Sequence, residues 1–349
     1  MSLPRLVSVG TANPPDTYSQ QDLVDLFRPD DPVLAQFFTN SHIKKRHLVL
    51  PRPGPDGKLP EEDGEALLMK QRKWAVDLGA LAVERCLAPK GLGPEDIDAL
   101  VTVTTTGMLC PSLSSLVSAR MGMRRNAQRA DIVGMGCNAG MNGLANVARL
   151  ATARPGANVV LLSAEICSAG YVFDLTMRTA VVNSLFGDAV SAVLVRVDED
   201  DDHTDGPRLV DFESYLVHEA GPDMRFDFED GRWSFYLDRD IPYKIGANIE
   251  IPVHALLSRH GLKRRDISHW VVHSGGKKVV DSIKYNLKIT DYDVRHTRSI
   301  LRNFGNVSSS AVFFAYKELM EEGVVREGDY GVAIAMGPGV SLETGLLRW

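Results

Sequence analysis

Cysteine is scarce in this sequence, which has four, at positions 86, 110, 137 and 167. None forms a C-x-x-C pair or stands at metal-ligand spacing from a histidine, so neither a disulfide framework nor a metal site is indicated. They read as reduced thiols, the state expected of a cytoplasmic protein. Positive charge is not in excess either: the formal net charge is −6, which removes the electrostatic case for a nucleic-acid partner. No apolar run approaches the ~20 residues of a membrane span, so no membrane association is expected. The start, MSLPRLVSVGTANPP, lacks the basic and apolar regions of a secretory signal. What is present is a chain of 349 residues, 44% hydrophobic, long enough for one large or two medium cores.

The stretch at 131–153, DIVGMGCNAGMNGLANVARLATA, organises the rest. Ile132-Val133 leads to Gly134 and Gly136, then Cys137, after which small and helix-forming residues take over. This spells strand, sharp turn and tightly packed helix, with the cysteine in the first turn. A thiol there faces unpaired N–H groups and the positive end of the helix dipole, which favours thiolate. The alternative is a buried core cysteine.

Elsewhere, residues 5–9 read as a first strand and Ser19 as the cap of a helix over 20–27. Residues 51–64 read as a loop, and a long amphipathic helix follows through Trp74, Leu78 and Cys86. LVTVTTT and NVVLLS read as strands, and 184–196 as a strand pair or bulged strand around Gly187. Lys44, Lys45 and Arg46 form a basic cluster in an acidic chain, either a solvated face or an anion contact. The charged run at 198–206 is the best boundary, dividing the chain into halves at 1–206 and 207–349.

The two halves echo one another. GLGPEDIDALV (91–101) matches GLKRRDISHWV (261–271), RPGANVVLL (154–162) matches REGDYGVAI (326–334), and Gly136-Cys137 falls opposite Gly305-Asn306. One offset of roughly 170 residues serves all three, which indicates a duplicated α/β unit with largely parallel sheets under helices. Packed about a pseudo-twofold axis, such halves bring Cys137 and Asn306 together, with His273 on the same rim. Cysteine, histidine and asparagine together suit acyl transfer. The thiolate attacks a thioester, and imidazole and carboxamide N–H groups donate to an enolate or a tetrahedral oxyanion. Taken singly, His273 could also be a structural strand-end residue and Asn306 a turn residue.

GMGCNAG, LFGD (185–188), HSGG (273–276), GNVSS (305–309) and MGPG (336–339) resemble the motifs of type III polyketide synthases, the chalcone-synthase-like branch of the thiolase fold. The motifs come in the family's order along nearly the whole chain. The resemblance implies a duplicated five-layer αβαβα architecture, a homodimer, and catalysis without metal or organic cofactor. It implies Cys137 as nucleophile and His273 with Asn306 as the pair that drives decarboxylation. It further implies Phe186 as gatekeeper between a CoA tunnel and the cavity, and Gly337, Pro338 and Gly339 as the cavity-shaping loop. Thr105, Glu165 and Ser308 match a hydrogen-bonded trio associated with aldol ring closure. Cys110 falls where the family often has a methionine reaching into the partner subunit. The family's basic CoA contacts are replaced by Gln36 and Asn40, so CoA is expected to meet Lys44, Lys45, Arg46, Lys277 or Lys278.

Longer runs, TMRTAVVNSLFGD (176–188), HWVVHSGGKKVVDS (269–282), DVRHT (293–297) and GDYGV (328–332), resemble the bacterial branch that serves antibiotic biosynthesis. They imply malonyl-CoA as both starter and extender: one decarboxylated starter, three condensations, and an aldol closure to a dihydroxyphenylacetyl thioester. Accessory proteins of the enoyl-CoA hydratase type are expected on the same ground. Rival readings are a type III enzyme with a tetrahydroxynaphthalene, resorcinol or pyrone product, and a ketoacyl synthase III. A non-catalytic binding module and a papain-like hydrolase are further alternatives; the latter's C-G-[SA]-C-[WY] signature is absent.

Overall fold

The computed structural model describes residues 2–29, 31–174, 176–198, 206–229 and 231–349. In chain order the first half runs β1 (Arg5–Ala12), β2 (Thr17–Ser19), α1 (Gln20–Phe27), α2 (Pro32–Thr39) and β3 (Lys45–His47). It continues through α3 (Gly64–Leu87), β4 (Ala99–Thr104), α4 (Leu113–Met121), β5 (Gln128–Val133) and α5 (Ala139–Ala153). It closes with β6 (Val159–Glu165), α6 (Met177–Leu185) and β7 (Ala189–Arg196). The second half has β8 (Arg208–Leu216), a hairpin of β9 (Met224–Glu229) and β10 (Arg232–Leu237), α7 (Ile241–Asn248) and α8 (Glu250–Arg259). After these come β11 (Ile267–Val272), α9 (Lys277–Leu287), α10 (Arg295–Phe304), α11 (Ala311–Glu322), β12 (Tyr330–Gly337) and β13 (Ser341–Arg348).

The expected first strand is there, and Ser19 caps α1 in a reciprocal capping box with Asp22. The run at 184–196 is not a strand pair. Residues up to Leu185 end helix α6, capped by the Thr176 hydroxyl, and only Ala189–Arg196 is strand. The large sheet runs β5-β4-β6-β7-β1 and then β8-β13-β12-β11, so each half repeats the same neighbours outward from the junction where Arg5 faces Arg208. The sheet is mixed rather than largely parallel. Only β4 with β5, β4 with β6, and β11 with β12 run parallel. The other pairs are antiparallel because β13 returns from β12 through the tight turn at Pro338–Val340, and β7 folds back beside β6 after α6. The proposed boundary run overlaps residues 199–205, which lie outside the described residues.

Helices α5 and α11 lie between the halves, each touching strands of both. α3 and α4 cover the first half's outer face, and α8 packs on β8 and β13 of the second. The result is the five-layer αβαβα arrangement. Burial explains the sandwich: Met141, Leu144, Val147 and Ala148 of α5 and Val312, Phe313 and Phe314 of α11 join one apolar cluster with strands of both halves. The two helix starts approach so closely that a Cβ at Gly140 would sit 2.1 Å from the Ser309 carbonyl oxygen. This contact sets one helix start against the other.

Candidate active site

Cys137 lies in a one-turn 3-10 segment, Gly136–Asn138, that runs directly into α5. Gly136 has φ +74, and a Cβ there would meet the Pro338 ring at 2.1 Å, so no other residue fits. The Gly136 N–H donates to Thr105 Oγ1 at 2.8 Å, tying the turn to the end of β4. Asn306 occupies the opposite entrance. Its N–H donates to the Leu185 carbonyl at 2.9 Å, and its own carbonyl accepts from the Gly187 N–H at 2.9 Å. The 3-10 turn before α11 is Ser308–Ser310, so Asn306 stands ahead of that turn rather than inside it as Cys137 does in its own. His273 follows β11 as Thr105 follows β4, on the same rim.

The three side chains are all buried, with Cys137 7%, His273 1% and Asn306 3% exposed. They meet at Ser308. The Ser308 N–H donates to Asn306 Oδ1 at 2.9 Å, which turns the carboxamide NH₂ the other way. Side chains of Ser308 and Asn306 both hydrogen-bond the Cys137 thiol, and the backbone of Ser308 hydrogen-bonds the His273 ring. The ring's Nδ1 has no partner among the described residues and is uncommitted.

Burial dominates the electrostatics. It pushes the Cys137 thiol up to about 12, against hydrogen bonds from Ser308 and Asn306 that act downward, so the thiolate that the helix start favours is outweighed in the resting site. It also pushes His273 down to about 3, leaving a neutral imidazole. Each charge alone is opposed. Formed together, thiolate and imidazolium attract one another across a dry site.

Glu165 is fully buried and burial raises it to about 7. The sequence-derived trio is assembled differently from expectation. Glu165 Oε2 accepts from the Thr105 backbone N–H at 3.0 Å, and its other oxygen accepts from the Ser309 hydroxyl, not from Ser308. Ser308 is turned toward the thiol, held by a backbone with φ +50.

A cavity of about 670 Å³ opens at Cys137, within the range of small-molecule sites. Thr105, Cys137, Phe186, Ser308, Pro338 and Gly339 line it; His273 and Asn306 are not among the lining residues, and Asn306 reaches the site through its hydrogen bond to the Cys137 thiol. Gly337 does not reach the cavity; it packs on Asn138. The sequence reading missed Cys167, a second thiol on this wall, and the β9–β10 hairpin, which supplies Phe226, Phe228, Trp233 and Phe235. Phe235 meets Phe186 edge to face at 5.6 Å. The alternation FDFED-G-RWSFY around Gly231 carried that signal: strand, turn, strand, with aromatics on every second residue.

The basic residues divide. Lys44, Lys45, Lys277 and Lys278 are exposed and none lines the cavity; Lys277 pairs with Asp281 at 3.6 Å. Arg46 is not a ligand contact at all, being 0% exposed. Strand alternation turns it inward while Lys45 points out. It donates to Gln20 Oε1 at 2.8 Å, Tyr171 Oη at 2.8 Å, and the carbonyls of Asn183 at 2.7 Å and Phe186 at 2.6 Å. Its role is to pin the segment carrying Phe186. Arg46→Met, which strands those acceptors, is expected to cost about 3–5 kcal/mol of stability, measurable by urea unfolding. A loss below about 1 kcal/mol would mean that Arg46 bears no such load. Cys110 is exposed on the loop after β4 and is not on the cavity wall.

Residues 222–349 match the family of chalcone and stilbene synthases, C-terminal domain, and residues 55–226 match the FAE1/type III polyketide synthase-like proteins. The 3,5-dihydroxyphenylacetyl-CoA synthase of Amycolatopsis orientalis is 48% identical over 99% of this chain and 93% of its own. The 1,3,6,8-tetrahydroxynaphthalene synthase of Streptomyces peucetius subsp. caesius is 30% identical over 99% of this chain and 93% of its own. The crystal structure of 1,3,6,8-tetrahydroxynaphthalene synthase from Streptomyces coelicolor superimposes with a TM-score of 0.90 at 27% identity, covering 99% of both chains. The chain belongs to the type III polyketide synthases, acyltransferases with the thiolase fold.

Proposed function

We propose that the chain condenses malonyl-CoA, as starter and extender alike, into 3,5-dihydroxyphenylacetyl-CoA. The carrying observation is the full-length similarity to synthases of that product, 48% and 47% identical, against 30% for a tetrahydroxynaphthalene synthase. In this reading the Cys137 thiol gives its proton to the neutral His273 ring and attacks the thioester, expelling CoA. Loss of CO₂ from a malonyl group leaves an enolate whose oxygen accepts from the Asn306 NH₂ and the His273 ring N–H. The carbanion then attacks the acyl group on sulfur. After three condensations the terminal carbon attacks the carbonyl two carbons from the thioester carbonyl, water leaves, and the ring aromatises. Glu165 near 7 can hold or release a proton at neutral pH, and we assign it to ring closure with Thr105 and Ser309.

The halves 1–206 and 207–349 are read as the two copies of a duplication, supported by the matching strand order. Homodimerisation is supported by β5, an edge strand largely exposed along its length up to Val133, with Met108 exposed on the loop after β4. Cys110 lies on the loop two residues beyond Met108 and is offered to the partner copy. Lys44, Lys45, Lys277 and Lys278 are assigned to CoA phosphates, the last two at the start of α9 next to the His273 loop. No step calls for a metal or an organic cofactor, and none of the described helices is long and apolar enough to cross a membrane. A cytoplasmic place in antibiotic biosynthesis, with hydratase-type helpers, follows from the same similarity. Incubation with malonyl-CoA alone is expected to yield a dihydroxyphenylacetyl species by mass; dependence on an added acyl-CoA, or on a carrier-bound malonyl group, would overturn the assignment.

A further inference from the structure

One wall of the cavity is a structure that should not stand by itself. Strands β9 and β10 form a two-stranded sheet separate from the main one, and an isolated pair is marginal in water. Register sets its two faces. Phe226 lies opposite Phe235 and Phe228 opposite Trp233, and all four line the cavity. Arg225 with Tyr236, and Asp227 with Ser234, alternate with them on the back. The aromatic face is a ladder, with ring centroids 4.8 Å apart for Phe226 and Phe235 and 5.2 Å for Phe228 and Trp233. Its inner end meets Phe186, and its outer end is open, with Phe228 62% and Trp233 47% exposed.

One side chain grips the back of this pair. Arg178, on α6, donates through Nη2 to Asp227 Oδ2 at 2.8 Å and to the Ser234 carbonyl at 3.0 Å. Its Nε donates to the Phe235 carbonyl at 3.3 Å, and Nη1 lies 3.4 Å from Glu229 Oε2. It thus binds both strands at the rungs beside Phe235. The other end of the same helix delivers Phe186, so one rigid element locates both rings of the edge-to-face contact. Arg178 touches neither the thiol nor the cavity.

We propose that Arg178 is a positioning residue that fixes the aromatic hairpin, and through it the depth of the cavity and the number of condensations before ring closure. The inference rests on the polyketide synthase reading but not on which polyketide is made. With the grip released, the hairpin has lateral play, and a chain one unit shorter or longer is no longer rejected sterically. One methylene in a hydrophobic pocket is discriminated by about 10- to 200-fold, and a two-carbon unit presses on the wall at least as hard.

The test compares wild type with Arg178→Met, Arg178→Lys and Asp227→Asn, each incubated with malonyl-CoA alone, and reads the ratio of product chain lengths at equal malonyl consumption. Arg178→Met and Asp227→Asn are each expected to raise the share of off-length products by about fivefold or more. The double variant should do less than the sum of the two, because they share the Arg178–Asp227 contact. Arg178→Met alone also loses the Ser234 and Phe235 carbonyls, and Asp227→Asn alone also weakens the Arg225 pair at 2.8 Å. Arg178→Lys, which keeps the charge facing Asp227, should restore part of the fidelity. Should Arg178→Met fail to fold, Asp227→Asn and Arg178→Lys decide the matter. Unchanged product ratios, or an equal fall in every product, would overturn the proposal. A wild-type enzyme that makes another single product sinks the dihydroxyphenylacetyl assignment and leaves this ratio test intact.

Discussion

Cys137→Ala is expected to abolish product formation, by about 10⁴-fold or more, while the fold persists. The side chain is small and buried, and alanine replaces it without creating a charge; of the two side chains that lose the sulfur as a partner, Ser308 lines the cavity. Neighbouring thiols do not take over. Cys167 lies on the same wall, but burial and the nearby carboxylates of Asp188 and Glu165 push it well above the ordinary thiol range. Cys86 is a buried residue of α3, raised to about 11, and Cys110 is exposed away from the cavity. Alkylation is a poor substitute for this test, since Cys110 is exposed and the other three cysteines are buried. Undiminished synthesis by the alanine variant would remove the nucleophile from the account.

Asn306 and His273 are expected to separate acylation from decarboxylation. Asn306→Ala removes one oxyanion donor and should slow condensation by about 10²–10³-fold while leaving Cys137 able to be acylated. His273→Gln keeps an N–H donor but cannot accept the thiol proton, so its larger loss should fall on loading of the sulfur. Rapid-quench measurement of the acyl-enzyme and of CO₂ release distinguishes them. Equal losses in both steps for both variants would contradict the division of labour. The prediction depends on the orientation of Asn306, whose Oδ1 is engaged by the Ser308 N–H and whose NH₂ is therefore the group available.

Much of this was legible in the chain because the signals were local. The elbow at Gly136-Cys137, the Ser19 cap and the repeated strands follow from turn chemistry, capping and periodicity. The failures were non-local. Arg46 reads as surface because it neighbours two lysines, while the partners that bury it, Gln20, Tyr171 and Asn183, come from distant segments. Ser184 and Leu185, the end of α6, read as strand until the Thr176 cap, which accepts from the Thr179 N–H, is given weight. Strand direction was missed because alternating helices and strands predict parallel neighbours, and the β12–β13 turn at Pro338 overrides that locally. Asn306 hydrogen-bonds the Cys137 thiol although it sits ahead of the turn that mirrors the cysteine's, rather than at a helix start as the repeat predicts. The helix dipole correctly marks where the thiol sits, but desolvation governs its resting protonation.

The account turns on a polyketide chain growing on one sulfur inside a largely apolar chamber. Acid quenching during turnover of malonyl-CoA, followed by proteolysis and peptide mass mapping, tests that directly. The account predicts acyl adducts on the peptide carrying Cys137, lost in the Cys137→Ala protein and absent from the peptides carrying Cys110 and Cys167. Adducts on either of those peptides, or product formed with no acylated cysteine at any time point, would contradict it.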